Sequence, residues 1–219
     1  MIVCKSVPAV REATDTFSSL AIVIDDDEDV REGLGNLFRS VGQGTALFGS
    51  PPDYLEANLP NIPSCLLLDV RMQGGCGFEL QSHLKRIGAS IPVVFMTGHG
   101  DVAMGVRAMK AGAVDFLTKP FRDQDLLDVV ADAIDRDRRR RRADDALSGM
   151  RCLYEALTPR EKEVMHYVVR GLLNKEIAGE MGLQEITVKI HRGNMKRKMN
   201  VRSVADLVRI AESLGLYRI

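Results

Sequence analysis

Five residues far apart in the chain carry chemistry that would make sense in one place. Asp25 and Asp26 follow the apolar run Ile22-Val23-Ile24, and Asp69 follows Cys65-Leu66-Leu67-Leu68. Thr97 ends Val93-Val94-Phe95-Met96, and Lys119 follows the run Val114 to Thr118. If these runs are parallel strands of one sheet, their carboxyl ends gather three acids, a hydroxyl and an ammonium in one crevice, the edge at which open α/β sheets bind ligands. Carboxylates crowded together repel one another, and a hard divalent cation such as Mg2+ relieves that with oxygen ligands. The cation and the Lys119 ammonium would screen an arriving phosphoryl group, with Asp69 as its acceptor and Thr97 as a hydrogen-bond partner once it has arrived.

The elements needed to build that crevice are legible. Short apolar runs alternate with segments of helical spacing. Asp29 to Val41 carries Val30, Leu34, Leu37, Phe38 and Val41; Gly77 to Ile87 carries Phe78, Leu80, Leu84 and Ile87. Asp101 to Ala111 carries Val102, Val106 and Met109, and Asp123 to about Ile134 carries Leu126, Leu127, Val130 and Ile134. Thr45 to Phe48 reads as a further strand, and Ser50-Pro51 as an N-cap and first helical residue of a helix reaching toward Leu59. Strand–helix alternation of this kind predicts a doubly wound five-stranded parallel sheet, an α/β unit covered on both faces, over residues 20–134. Residues 1–19 read as a frayed tail without the pattern of a signal peptide.

Charge is unevenly distributed. The formal net charge is zero, yet residues 1–134 hold 11 Lys and Arg against 18 Asp and Glu. Residues 158–219 hold 12 against 7. An acidic front suits a cation and a basic back suits a polyanion. The four cysteines have no metal-ligand spacing, and Cys65 reads as a small apolar filler in a reducing cytosol, which predicts a cytoplasmic protein. No run approaches the length of a membrane helix. Between the halves, residues 135–157 contain Arg138 to Arg142. Five arginines could touch DNA phosphates, but charge runs are usually solvated, and the stretch reads as an exposed helical linker.

Residues 158–219 read as a small all-α unit. Thr158-Pro159-Arg160-Glu161 is a capping box, Asn174 is placed to cap a short helix stopped by Gly182, and Ser203 with Asp206 opens the last helix. Between them, Glu185 to about Asn200 forms the second helix of a helix-turn-helix. Val188, His191, Met195 and Met199 make its inner stripe. Lys189, Arg192, Gly193, Lys196 and Arg197 lie away from it, on a face without acids. Lys189 and Ile190 are placed to reach base edges, Gly193 to permit close approach, and Lys196, Arg197 and Lys198 to hold phosphates.

The segments Ile24-Asp25-Asp26, Leu68-Asp69-Val70-Arg71-Met72, Met96-Thr97-Gly98-His99-Gly100, Met109 to Ala113 and Asp115 to Phe121 resemble bacterial receiver domains. Leu157 to Met199, with Asn174-Lys175-Glu176-Ile177-Ala178 and Thr187-Val188-Lys189, resembles the LuxR-type helix-turn-helix. Together they resemble two-component response regulators of the NarL/FixJ family, nearer the FixJ branch. The resemblance implies that a sensor histidine kinase phosphorylates Asp69, with Mg2+ held by Asp25, Asp26, Asp69 and the backbone carbonyl of Arg71. Lys119 would contact the phosphate through a cis Lys119–Pro120 junction, and Thr97 and Phe116 would shift as the switch. It further implies a homodimer on promoter DNA, touched by Lys175, Thr187, Lys189, Arg192 and Lys196. A transcriptional activator meeting RNA polymerase, and no enzyme, is the expectation.

The chain departs from the family at Gln73, where proline is usual, and Gly74-Gly75 adds backbone freedom. A looser loop and a less stable phosphorylated state follow as expectations. Two other readings stay open: a phosphorylation-independent DNA-binding factor with a structural receiver, and a haloacid-dehalogenase-type phosphatase using Asp25-Asp26-Asp27. Against the latter, Glu28-Asp29 stands where that motif wants Thr or Val.

Overall fold

In the computed structural model, residues 17–72, 75–98 and 102–217 are described. The chain divides into two compact units, residues 1–141 and 142–219.

The first unit begins with β1 (Leu20–Ile24), α1 (Glu28–Ser40), β2 (Gly44–Phe48), α2 (Pro51–Glu56) and β3 (Ser64–Asp69). A small antiparallel pair, β4 (Arg71–Met72) and β5 (Gly75–Cys76), precedes α3 (Gly77–Arg86). Then come β6 (Val93–Thr97), α4 (Val102–Lys110), β7 (Asp115–Thr118) and the long helix α5 (Asp123–Glu155). The five main strands form one parallel sheet in the order β2-β1-β3-β6-β7.

Why the apolar runs are so continuous is clear from the two cores. Every residue of β1, β3 and β6 is buried. Successive side chains alternate faces. Ile22, Ile24, Leu66, Leu68 and Phe95 meet Phe78, Leu80 and Leu84 of α3 on one side. Ala21, Val23, Leu67, Val94 and Met96 meet Leu34 and Phe38 of α1 and Leu126, Val130 and Ile134 of α5 on the other. Cys65 belongs to the second core, where burial foremost pushes its thiol up to about 12. It is therefore an inert apolar filler, as expected.

Several local expectations shift. Of the stripe assigned to Asp101–Ala111, Val106 and Met109 face outward, exposed at 46% and 51%, while Ala108 is fully buried. A small residue suffices there because α4 lies close over β7, with Gly105 beside the Phe116 ring. Helix α2 stops at Glu56, short of Leu59. Helix α5 runs on through the helical linker to Glu155, as expected, but the stretch assigned to solvent contains the buried Asp137. At the amino end, Ser19 is buried and its hydroxyl donates to Gln43 Oε1 at 3.1 Å, so the folded part begins within the segment read as a tail. Residues 1–16, Gln73 and Gly74 lie outside the described residues, as do His99 to Asp101. No described helix is long and apolar enough to cross a membrane.

The second unit contains α6 (Pro159–Val169), α7 (Asn174–Met181), α8 (Glu185–Lys198) and α9 (Val204–Ser213). Thr158 and Glu161 form the reciprocal cap, with Glu161 N–H donating to Thr158 Oγ1 at 3.3 Å and Thr158 N–H to Glu161 Oε2 at 2.8 Å. Ser203 and Asp206 do the same for α9. Asn174 is the first helical residue of α7 rather than its cap, because its side chain is engaged elsewhere, by Arg192. Gly182, at φ 62°, supplies the left-handed residue that ends α7. Val164, Val168, Ile177, Val188, Met195, Met199 and Leu207 close the core.

Candidate functional site

Register explains how the chemical residues meet. Ile24 pairs with Leu68, so Asp25 stands level with Asp69 on the neighbouring strand. Thr97 ends β6, one residue beyond Met96, the partner of Asp69. Lys119 follows β7, and its backbone N–H donates to the Thr97 carbonyl at 2.7 Å. Its ammonium then reaches back between two carboxylates, 2.5 Å from Asp25 Oδ2 and 3.1 Å from Asp69 Oδ1. The Lys119–Pro120 bond is cis.

The remaining oxygens are also placed. Asp69 Oδ2 accepts from Arg71 N–H at 2.9 Å, and Asp25 Oδ1 from Asp27 N–H at 3.1 Å. Asp25, Asp69 and Thr97 are buried at 1%, 6% and 1% exposure. Burial, with a smaller push from the Asp25 charge, holds the Asp69 carboxyl above its ordinary value despite Lys119 and the Arg71 N–H. Burial also opposes the Lys119 ammonium, but its contacts with Asp25 and Asp69 outweigh that and raise its pKa. The charge on Asp69 is thus countered at the sheet edge by the Lys119 ammonium.

Asp26 is exposed, in contrast to Asp25. Among the described residues no three Asp, Glu, His or Cys side chains form a ready metal-holding group. Lys119 stands between the two buried acids instead. Phe116 is half-buried against the core face that includes Phe95.

Two positioning residues escaped the sequence reading. Arg31 donates from Nη1 to the Asp25 carbonyl at 2.7 Å, anchoring the strand end from α1. At Gly77 an added Cβ would stand 2.5 Å from the Asp69 carbonyl oxygen. Only glycine allows α3 to start so close to β3. Its signal was a glycine opening a helix just after the loop that follows Asp69.

In the second unit, α8 carries the basic face. Lys189, Ile190, Gly193 and Arg197 are exposed, Thr187, Arg192 and Lys196 half-buried, and Lys175 is exposed on α7. Ile186 joins Ile190 as an exposed apolar residue, at 58% and 56%. Arg192 donates to Asn174 Oδ1 at 2.8 Å, which ties α8 to the start of α7. Lys196 donates to the Arg202 carbonyl at 2.8 Å, and Arg197 to Asn194 Oδ1 at 2.6 Å. Lys198 does not belong with the phosphate-holding set: its ammonium pairs with the buried Glu161 at 2.7 Å.

That pair gives a stability prediction. Burial pushes the Glu161 carboxyl up, but bonds from Lys198 and Thr158 outweigh it and hold the group below its ordinary 4.5. The unfolded chain therefore takes up this proton at higher pH than the folded one. The contribution is complete above 4.5 and is lost as pH falls through the lower folded value. Glu161→Ala is expected to cost about 2–3 kcal/mol, from the cap and the bond to a charged donor. Thermal melts followed by circular dichroism between about pH 3 and 7 check it, the variant losing less on acidification than the wild type.

Comparison with known proteins agrees with this division of labour. Residues 21–131 match the response regulator receiver domain, and residues 155–211 match the LuxR family of bacterial regulatory proteins. Nodulation protein W of Bradyrhizobium diazoefficiens is 52% identical over 198 residues, spanning 90% of this chain and 87% of that protein. The transcriptional regulatory protein FixJ of Azorhizobium caulinodans is 41% identical over 194 residues, spanning 89% and 92%. The solved structure of response regulator StyR superposes with a TM-score of 0.82 at 47% identity, covering 89% of this chain and 98% of that one. Both matched families, and FixJ and StyR by name, are regulators rather than enzymes, which removes the phosphatase reading. An acid pair bridged by lysine at the sheet edge, followed by a capped helix-turn-helix, thus places the chain among the two-component response regulators of the NarL/FixJ family.

Proposed function

We propose that Asp69 is the phosphoacceptor of a transcription factor switched by a sensor histidine kinase. The observation that carries this is the Lys119 ammonium held between Asp25 and Asp69 at the carboxyl ends of β1 and β3. An Asp69 oxygen attacks phosphorus, the P–N bond of the kinase phosphohistidine breaks, and an acyl phosphate remains on Asp69. Lys119 moves from countering two carboxylates to countering phosphoryl oxygens, and Thr97 donates its hydroxyl to one of them.

The donor set suits Mg2+, since Asp25, Asp26, Asp69 and the Arg71 carbonyl offer only oxygen. Such an ion, when bound, neutralises charge developing on the transferred group. Holding it requires Asp25 to exchange its bond to Lys119 and the exposed Asp26 to turn inward. The chain's own contribution is the buried, aligned carboxylate row.

Phosphorylated Asp69 is read out through Thr97 and Phe116 and pairs two chains. Two α8 helices then meet promoter half-sites one turn apart, with Lys189, Ile190 and Arg192 toward bases and Lys175, Thr187, Lys196 and Arg197 toward the backbone. Gly193 leaves room for the groove. The dimer acts as an activator and meets RNA polymerase on the promoter. A bias of a few kcal/mol between unpaired and paired states suffices for a useful switch.

The test is DNA binding and oligomeric state with and without a small phosphodonor plus Mg2+, for wild type and Asp69→Asn. Wild type is expected to dimerise and gain affinity, and the variant to do neither. Equal binding by both proteins under both conditions would assign the receiver a purely structural role and end this reading.

A further inference from the structure

The arginine run of α5 has a different use from the one its composition suggests. Along α5 the inward positions Leu126, Val130 and Ala133 recur at helical spacing, and the next position in that series is Asp137. It is an acid where the stripe calls for an apolar residue, and it is 1% exposed. Its carboxylate is fully engaged. Oδ2 accepts from the backbone N–H of Ser64 at 3.0 Å and from Arg141 Nε at 2.6 Å. Oδ1 accepts from Arg140 Nη2 at 2.6 Å and Nε at 3.1 Å. Arg141 also donates from Nη1 to Asn61 Oδ1, in the loop before β3.

Ser64 is the first residue of β3 and is buried, so its N–H needs an acceptor. Asp137 supplies one, and the two guanidinium groups counter the charge this brings inside. Two others behave differently: Arg138 and Arg139 pair with Asp135 at 3.2 and 3.3 Å. With its partners in place, the Asp137 carboxyl sits below its ordinary value: burial pushes it up, but the bonds from Arg141, Arg140 and Ser64 outweigh that.

We propose that Asp137 is a positioning residue that locks the start of the linker onto the amino end of β3, with Arg140 and Arg141 as its internal counter-ions rather than DNA contacts. The lock sits at the opposite end of the strand that carries Asp69, about 17 Å away at ~3.3 Å per residue. It holds residues 135–141 of α5 to the receiver, so that the helix leaves it at a defined residue. Without the lock those turns fray, the tether to the output unit lengthens, and the effective concentration of the second recognition helix in a paired complex falls. The consequence for DNA binding rests on the proposed phosphorylation switch; the lock itself does not.

The full-length chain with Asp137→Asn, and separately with Arg140→Gln and Arg141→Gln together, tests this. Trypsin is a direct probe, since it cuts after arginine and reaches only frayed helix. Both variants are expected to be cut within Arg138–Arg142 at least about tenfold faster than wild type, reflecting loss of bonds to a buried charge. Both should keep the wild-type rate of phosphorylation by a small donor and the wild-type salt dependence of DNA binding, with a smaller phosphorylation-dependent gain in affinity. An unchanged cutting rate overturns the lock. So does a salt slope reduced by about 2 in the double arginine variant alone, which would make Arg140 and Arg141 phosphate contacts. If Asp137→Asn fails to fold, Arg141→Gln alone, which leaves Arg140 on the carboxylate, decides by the same cutting assay. Absence of any phosphodonor effect in wild type would sink the switch and leave the trypsin result to judge the lock.

Discussion

Replacing Lys119 by alanine is expected to slow phosphoryl transfer to Asp69 by about two to three orders of magnitude, the usual effect of removing one preorganised donor from a site of developing charge. The expectation follows from where the ammonium stands. It touches both Asp25 and Asp69, and its position is set by a backbone bond to Thr97 rather than by a flexible loop alone. In its absence two buried carboxylates face each other without a counter-ion. The Asp69 carboxyl, already above its ordinary value through burial, moves further up because both of the effects of Lys119 on it were downward. Protonated Asp69 is no nucleophile, so the variant's rate should decline on acidification at higher pH than that of the wild type. Folding disfavours the ionised form of such a group, so this carboxyl makes the variant relatively more stable as pH falls through the raised value.

A merely structural role for Lys119 would not separate binding from reaction. The same substitution removes a competitor for Asp25, so Mg2+ is expected to bind at least as tightly while the transfer rate falls. Calorimetric titration of Mg2+ and acid-labile phosphoryl incorporation measure the two separately. A variant that incorporates phosphoryl at the wild-type rate would remove Lys119 from the mechanism.

Met195→Ala is expected to cost about 2–5 kcal/mol, the range for truncating a buried methionine. Met195 is fully buried and lies on the inner stripe of α8 with Val188 and Met199. A unit as small as this one has a total stability of only about 3–9 kcal/mol, so most of its folded population is at risk. DNA binding should collapse because α8 loses its platform, although Met195 faces away from the groove. Lys189→Ala provides the contrast. Lys189 is exposed, so its loss should leave the melting temperature unchanged while weakening DNA binding and relaxing the preference for the base it reads. Melts and DNA titrations of both variants check the pair. Wild-type stability in Met195→Ala would mean that α8 is held by something other than this core.

Much of this architecture was legible before any coordinates. The apolar runs were continuous because β1, β3 and β6 are covered on both faces, and period-two packing then carries no polar gaps. The acids at their ends could be aligned because parallel strands of similar length bring their carboxyl ends to one edge. Caps at Thr158 and Ser203 were readable because they need only residues three apart. Where the reading slipped, the deciding contact came from elsewhere. Val106 and Met109 share a helical stripe, yet α4 offers its small Ala108 to the sheet. Asn174 has the chemistry of a cap, but Arg192 takes its side chain.

The same division holds for the functional residues. The sequence by itself determined which residue types stand at strand ends, where helices begin, and that an acidic half precedes a basic one, because each is a local pattern of spacing. Only the tertiary structure decided which charges are spent inside the protein. Lys119 bridges two acids, Lys198 is bound to Glu161, and Arg140 and Arg141 are bound to Asp137. Lys189 and Arg197 remain on the exposed face. Ion pairs and hydrogen bonds act over a few ångströms and depend on burial, and no spacing along the chain states which distant residues will come that close.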